Sequence, residues 1–231
     1  MKRIAIIPAR GGSRRIPNKN IKDFFGKPII AYSIEAALGS GLYDEVMVST
    51  DCDLIKEVAL NFGAKVPFLR SSINSNDFAT TYDVLEEVIE WYNQIGTDFG
   101  SATCIYACAP FTTIDLLKKS FQLLDTGCDC VFPVIPFTHP IQRALEVLQD
   151  GTVFPFFNSD STARTQDFKK AYHDAGMFYT FDTAKLLINK SLRTVNTIAI
   201  EINELCAHDI DNENDWRLAE LKYRLFINEK I

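Results

Sequence analysis

Two stretches of this sequence combine residue types and spacing that suit chemistry. The first is Ala9-Arg10-Gly11-Gly12-Ser13-Arg14-Arg15, with Lys19 and Asn20 close behind. Its basic side chains have no acid among them. A glycine pair lets the backbone turn where a Cβ would clash and lets N–H groups approach an anion. Clustered Arg and Lys add forked donors and point charge suited to phosphate. A surface loop with solvated charges explains the same composition. The position directly behind the apolar run Ile4-Ala5-Ile6-Ile7 favours a polyphosphate cradle at the carboxyl end of a buried strand.

The second stretch is Asp209-Ile210-Asp211. In extended chain, residues two apart point the same way and lie roughly 7 Å apart. Both carboxylates then reach one hard cation, Mg²⁺ or Mn²⁺, whose remaining positions go to phosphate oxygens and water. A helix cap at Asp211 beside a solvated Asp209 fits equally well on spacing alone. Asp51 and Asp53 form a rival pair, explained by a helix start, with Asp51 kept as a nucleotide-side candidate.

These residues need a scaffold, and the rest of the chain reads as one. Ile29, Ile30, Ile34, Ala37 and Leu38 form a helical stripe behind Pro28, which suits a first helical turn. Glu45–Thr50 reads as a second strand, and Asp51 as the cap of a helix ending at Gly63. This βαβα order predicts parallel strands with right-handed crossovers. Val66–Arg70 is a short extended piece and Ser71–Ala79 a polar loop. Thr80 or Thr81 opens a helix to about Ile95. Strands follow near Ala102–Ala107 and Cys130–Ile135, with a helix through Leu116, Leu117, Phe121 and Leu124 between them. From Pro136 to Tyr172 the pattern breaks into short apolar runs, including a hairpin around Asp150-Gly151. Strands at Gly176–Phe181 and Thr197–Glu201 and a helix from Glu213 to Asn228 complete the chain. The expectation is one α/β domain spanning residues 1–231: a three-layer, Rossmann-like arrangement with a mostly parallel central sheet and an irregular excursion at 136–172.

Composition narrows the function. A 231-residue chain with 47% hydrophobic and 23% charged residues has an ample core. Its net charge of −6 argues against a nucleic-acid partner. No run approaches membrane-spanning length, and none reads as a signal peptide, which predicts a cytoplasmic protein with no membrane partner. The six cysteines lack paired C-x-x-C spacing and read as free thiols. Neither G-x-x-x-x-G-K-[ST] nor G-x-G-x-x-G occurs, which disfavours a P-loop ATPase and a nucleotide-dependent oxidoreductase.

Ala9-Arg10-Gly11-Gly12-Ser13 with Pro17, Lys19 and Asn20, then Gly26-Lys27-Pro28, resembles the signature of the sugar-acid cytidylyltransferases, the CMP-sialic acid synthetases and their relatives. The similarity runs the whole chain. Pro140–Leu145 and Ala171–Gly176 are similar to the pseudaminic acid branch. The resemblance implies a nucleotide-diphospho-sugar transferase fold and in-line attack of a sugar's anomeric hydroxyl on the α-phosphate of CTP, with pyrophosphate leaving. It implies nucleotide contacts from Ala9, Arg10, Gly11, Gly12, Ser13, Arg14, Lys19 and Asn20. Asn20 and Arg70 would lie by the base, together with a hydroxyl at Thr81. Their plain alternatives are an Asx-turn, a surface charge and a helix cap. Arg10, Lys19 and Asp211 would be catalytic, and Asp209 and Asp211 metal ligands. The chain departs from the family at Ala107 and Cys108, where the family carries proline and threonine.

For the acceptor, a nonulosonic sugar acid, Gln142-Arg143 and Arg164-Thr165-Gln166 each offer a guanidinium beside an amide. Tyr172, His173 and Asp174 add polarity, and Phe178 and Tyr179 apolar contact. The acceptor implied is pseudaminic acid, with sialic, legionaminic or another nonulosonic acid as alternatives and a non-catalytic nucleotide-binding regulator as the outside reading. The excursion's apolar pieces predict a homodimer, and in the resembled family such an excursion swaps onto a second subunit.

Overall fold

A computed structural model describes residues 1–157, 164, 166 and 168–229. The chain opens with β1 (Arg3–Pro8), a two-residue-strand hairpin of β2 (Asp23–Phe24) and β3 (Lys27–Pro28), and α1 (Ile30–Ser40). It continues through β4 (Glu45–Ser49), α2 (Asp53–Asn61), α3 (Thr81–Gln94), β5 (Ser101–Ile105), α4 (Ile114–Leu124) and β6 (Cys130–Pro136). A second hairpin, β7 (Leu145–Val147) and β8 (Val153–Pro155), precedes β9 (Tyr172–Asp174) and β10 (Phe178–Asp182). The last elements are α5 (Thr183–Asn189), β11 (Thr197–Glu201) and α6 (Glu213–Glu229).

Seven strands form the central sheet in the order β11-β6-β10-β5-β1-β4, with β9 also paired to β6. β4, β1 and β5 are mutually parallel, as are β6 and β11, while β10 is antiparallel to both β5 and β6, and β9 antiparallel to β6. Five strands therefore run one way, the mostly parallel arrangement expected. β1 lies between β5 and the edge strand β4, and its alternation divides the core. Ala5 and Ile7 pack with α1, α2 and α6 on one face, while Ile4 and Ile6 pack with α3 and α5 on the other. That makes three layers and leaves the carboxyl ends of β1, β4 and β5 on one edge.

Three local expectations are corrected. Pro28 does not open α1; it ends β3, and the helix begins at Ile30 behind Ile29. Asp51 does not cap α2. Cys52 holds the cap position without a side-chain bond, and the Asp51 carboxylate instead accepts from the Gly11 N–H at 2.8 Å. Tyr172–Asp174, expected to lie between the irregular excursion and the strand at Gly176–Phe181, is itself a sheet strand, because pairing with β6 satisfies its backbone. Among the described residues no helix is long and apolar enough to cross a membrane. All six cysteines are free thiols.

Candidate active site

The loop after β1 sets the cradle. Ala9 is enclosed, and its N–H is committed to the Ser49 carbonyl at 2.9 Å, so Ala9 anchors the loop and offers a ligand neither side chain nor amide. At Gly11 a Cβ would sit 2.8 Å from Cys52 Cβ. Close approach of two strand ends, rather than an unusual φ, explains that glycine. A cavity of about 510 Å³ opens beyond, lined by Arg10, Ser13, Arg14, Arg15, Lys19 and Asn20, with Arg70, Thr81 and Asp211 on its other walls.

Each cradle cation meets an oxygen of the chain itself. Arg10 donates to Asp77 Oδ1 at 2.7 Å and to the Asn76 carbonyl at 3.2 Å, and Arg14 reaches Asp77 Oδ2 at 2.7 Å. Arg15 donates to Asp211 Oδ1 at 2.9 Å. Lys19 Nζ donates to the Ile210 carbonyl at 2.6 Å and lies 4.0 Å from Asp211 Oδ1. Asp77 is a cradle residue that spacing does not single out, since it comes from another loop and is brought in only by the fold; Asp51, the nucleotide-side candidate, holds the Gly11 N–H.

Asn20 and Arg70 are both buried. Asn20 Nδ2 donates to the Arg10 carbonyl at 2.9 Å, while its Oδ1 accepts from the Cys108 thiol at 3.3 Å. The Asn20 amide thereby has a defined orientation, and one departure from the family pattern supplies half of it. Burial pushes the Cys108 thiol up to about 12, so it stays protonated and able to donate. Arg70 donates from Nε to Ser49 Oγ at 3.0 Å and from a terminal nitrogen to the Ser49 carbonyl; burial lowers its pKa. Neither residue fits the plain alternative of an Asx-turn or a surface charge. Thr80, not Thr81, caps α3 through a reciprocal pair with Asp83, which leaves the Thr81 hydroxyl to meet the Tyr106 phenol inside the cavity wall.

Asp211 does not cap α6 either. Asn212 Oδ1 accepts from the Asp215 N–H at 3.1 Å, and Asp215 Oδ2 accepts from the N–H groups of Asp211 and Asn212. Asp211 is thus free to face the cradle. Asp209 lines an adjoining cavity of about 310 Å³ that shares Pro8, Lys19, Asn20 and Tyr106 with the first. Desolvation and then the Asp211 charge raise the Asp209 pKa, with Lys19 opposing. Asp209 and Asp211 line adjoining cavities rather than the same one, and both are hard oxygen donors of the kind a small divalent cation takes. Among the described residues no three His, Cys, Asp or Glu side chains converge as a metal cage, so other ligands would be phosphate oxygens and water. Gly176, at φ +65, backs this site: a Cβ there would lie 3.2 Å from Asp209 Cβ and Cγ.

The acceptor-side candidates separate. His173 and Asp174 share a cavity of about 250 Å³ with Asp209. Asp174 accepts from Gly176 N–H, from the Tyr179 hydroxyl and from Arg193, and it braces the turn behind Asp209. Tyr172 points its hydroxyl to Glu201 at 2.8 Å. Phe178 is fully enclosed in the core, because β10 sits between β5 and β6 with both faces covered; its place among the sugar contacts is corrected. Gln142 donates to the Lys169 carbonyl at 3.4 Å, and the Arg143 guanidinium lies 5.8 Å from the Phe168 ring. Arg164 and Gln166 are exposed. These four line neither the cradle cavity nor the one beside it. Thr165 lies outside the described residues.

A solved CMP:2-keto-3-deoxy-manno-octonic acid synthetase complexed with CTP superposes with a TM-score of 0.69 over 100% of both chains, at 19% identity, and so shares the fold. A pseudaminic acid cytidylyltransferase of Campylobacter jejuni is 40% identical, covering 97% of each chain. A CMP-N,N'-diacetyllegionaminic acid synthase of Legionella pneumophila is 32% identical, covering 95% of each. A family model described as cytidylyltransferase matches residues 4–191, from the first strand of the sheet through α5, and this chain belongs to that family.

Proposed function

We propose that this chain transfers CMP from CTP to the anomeric hydroxyl of a nonulosonic sugar acid, pseudaminic acid before its relatives, with release of pyrophosphate. The observation that carries the reading is the continuity of two cavities. The cationic cradle of Arg10, Arg14, Arg15 and Lys19 opens past Asn20 and Tyr106 onto Asp209. A triphosphate in the cradle then presents its α-phosphate toward the acid pair. The sugar as acceptor rests on the 40% identity to a relative named for pseudaminic acid.

In this reading the sugar hydroxyl oxygen bonds to the α-phosphorus as the bond to the pyrophosphate oxygen breaks. Arg10, Arg14, Arg15 and Lys19 neutralise the charge that the leaving group gathers. Asn20 and Arg70, each braced on a backbone carbonyl, present their remaining donors to the base. His173 and Asp174 flank the acceptor beside Asp209. Asp209 and Asp211 would hold Mg²⁺, or Mn²⁺, which when bound supplies positive charge at the α-phosphate. Incubated with CTP and a panel of pseudaminic, legionaminic and sialic acids, the protein should release pyrophosphate fastest with pseudaminic acid. Faster release with another acid would move the acceptor and keep the reaction. No release with any of them would remove the reading.

We also propose that the chain works as a homodimer. Leu145, Val147, Val153, Phe154 and Phe156 of the β7–β8 hairpin are 48–66% exposed, an apolar surface that a lone subunit leaves to water. Light scattering should give twice the chain mass. A fully active monomer at micromolar concentration would dispose of the dimer.

A further inference from the structure

The four cradle cations are neutralised in pairs, and the two pairs differ. Asp211, the acid on Arg15, belongs to the proposed metal site. Asp77, the acid on Arg10 and Arg14, belongs to the loop between Arg70 and α3 and has no such duty. One oxygen of its carboxylate takes Arg10 and the other takes Arg14, each at 2.7 Å. Two guanidinium groups bridged by two oxygens of one anion are what a phosphate would present to the same side chains. All three residues line the cradle cavity. The Arg14 side chain is 81% exposed, so little besides Asp77 gathers it over the site.

The loop is built to carry this contact. Ser71 N–H and Asn74 Nδ2 are held by the Glu87 carboxylate of α3, at 2.9 and 2.8 Å. Asn76 Oδ1 accepts from the N–H groups of Phe78 and Ala79, at 2.7 and 3.0 Å. The apolar side chains of Ile73 and Phe78 in this loop stand in solvent, 77% and 91% exposed. The loop is therefore seated at its base by Glu87 and at its tip by Asp77 on the arginines and the Asn76 carbonyl on Arg10, with little apolar burial from those two side chains to bind it down. Exposed ion pairs are weak and screened by salt, so this tip contact is exchangeable. Arg10 and Arg14 hold the Asp77 carboxyl below the usual carboxylate range, and it remains anionic throughout the neutral range.

We propose that Asp77 is an internal stand-in for phosphate. It keeps Arg10 and Arg14 gathered over the cavity, gives them up to an incoming di- or triphosphate, and takes them back as pyrophosphate leaves. Asp77 is then a positioning residue whose charge opposes the ligand. The inference rests on the cradle binding polyphosphate, and its test separates the two. Asp77→Asn keeps the size and hydrogen-bonding capacity of the side chain and removes the competing charge. Calorimetric titration with pyrophosphate should show Asp77→Asn binding about fivefold more tightly than the natural chain, with the advantage shrinking as salt rises. Asp77→Glu should restore the natural affinity. In turnover, Asp77→Asn should lower KM for CTP and strengthen inhibition by added pyrophosphate, a split that a merely structural role would not produce. Equal or weaker pyrophosphate binding by Asp77→Asn, while the natural chain binds, would overturn the role of Asp77 alone. Absence of pyrophosphate binding by the natural chain would overturn the cradle, and the role of Asp77 with it.

Discussion

Asp211→Asn is expected to lower turnover by about a hundredfold or more, the scale of removing one fixed electrostatic group from a transition state, while leaving the fold intact. The amide matches the carboxylate in size. The contacts it gives up in the folded chain are an exposed pairing with Arg15 and a 4.0 Å approach by Lys19, which cost little to lose. α6 keeps its start because Asn212 and Asp215 make the cap. The loss should therefore fall on chemistry. Asp209→Asn should behave alike, since its carboxylate would be the second protein ligand of the same proposed cation. A readout independent of activity is direct Mn²⁺ binding by electron paramagnetic resonance, which either substitution should weaken strongly. Metal-free nucleotide binding should move the other way. With its carboxylate gone, Asp211→Asn frees Arg15, so CTP without divalent ions should bind at least as tightly as to the natural chain. Near-normal rates at low Mg²⁺ in both variants would place the metal elsewhere, and Asp51 with Asp53 would be the pair to examine.

Asp51 shows why part of the site was legible in the sequence and part was not. The cradle is continuous in sequence, and its cations announce themselves by density alone. The strands that carry it are apolar runs bounded by turn residues, so β1, β4, β5, β6 and β11 were readable to within a few positions. Asp51 looked like a helix cap because Asp before a helix usually is one. Here a nearby backbone N–H, at Gly11, took the carboxylate instead. Local propensity describes the menu of partners within a few residues and is blind to a partner forty positions away. Asp77 failed to register for the same reason: it is one acid in a polar loop until the fold lays that loop against Arg10 and Arg14.

Phe178 and the β9 strand show the opposite limit. An aromatic after a polar patch reads as a contact for a sugar ring, and nothing in its neighbours says which face of a strand will be covered. Insertion of β10 between β5 and β6 decides it, and the ring goes to the core. Tyr172–Asp174 lacks the alternating apolar pattern of a strand because its side chains remain largely in solvent; its pairing is backbone to backbone along β6. Where spacing left metal and cap level for the acid pair, resemblance to a family implied the metal. The structure then removed the cap by giving that work to Asn212 and Asp215.

Phe24→Ala is expected to produce the largest loss of stability of any substitution near the site, about 3–5 kcal/mol. Phe24 is fully buried, and its ring centroid lies 5.2–5.6 Å from those of Phe25, Tyr32, Trp216 and Tyr223. Those rings come from the β2–β3 hairpin, α1 and α6, so a single side chain joins the element following the cradle to the helix that starts beside Asp211. The Lys22 ammonium, next to the hairpin, adds to the joint by lying 4.4 Å from the Trp216 ring and 3.0 Å from the Glu213 carboxylate. Truncation leaves a cavity that four rigid rings fill poorly, and it removes several edge-to-face contacts at once. In a chain of this size that loss corresponds to a melting point lower by roughly 10 °C. Phe24→Leu keeps most of the apolar volume and should lose less than half as much. The consequence for function follows from the same joint. At temperatures where Phe24→Ala is still folded, α6 is less firmly seated, so Mn²⁺ binding at the acid pair should weaken while pyrophosphate binding in the cradle changes little. A melting point within about two degrees of the natural chain would show that α6 is seated by other contacts, and that the aromatic cluster is not what holds Asp211 against the cradle.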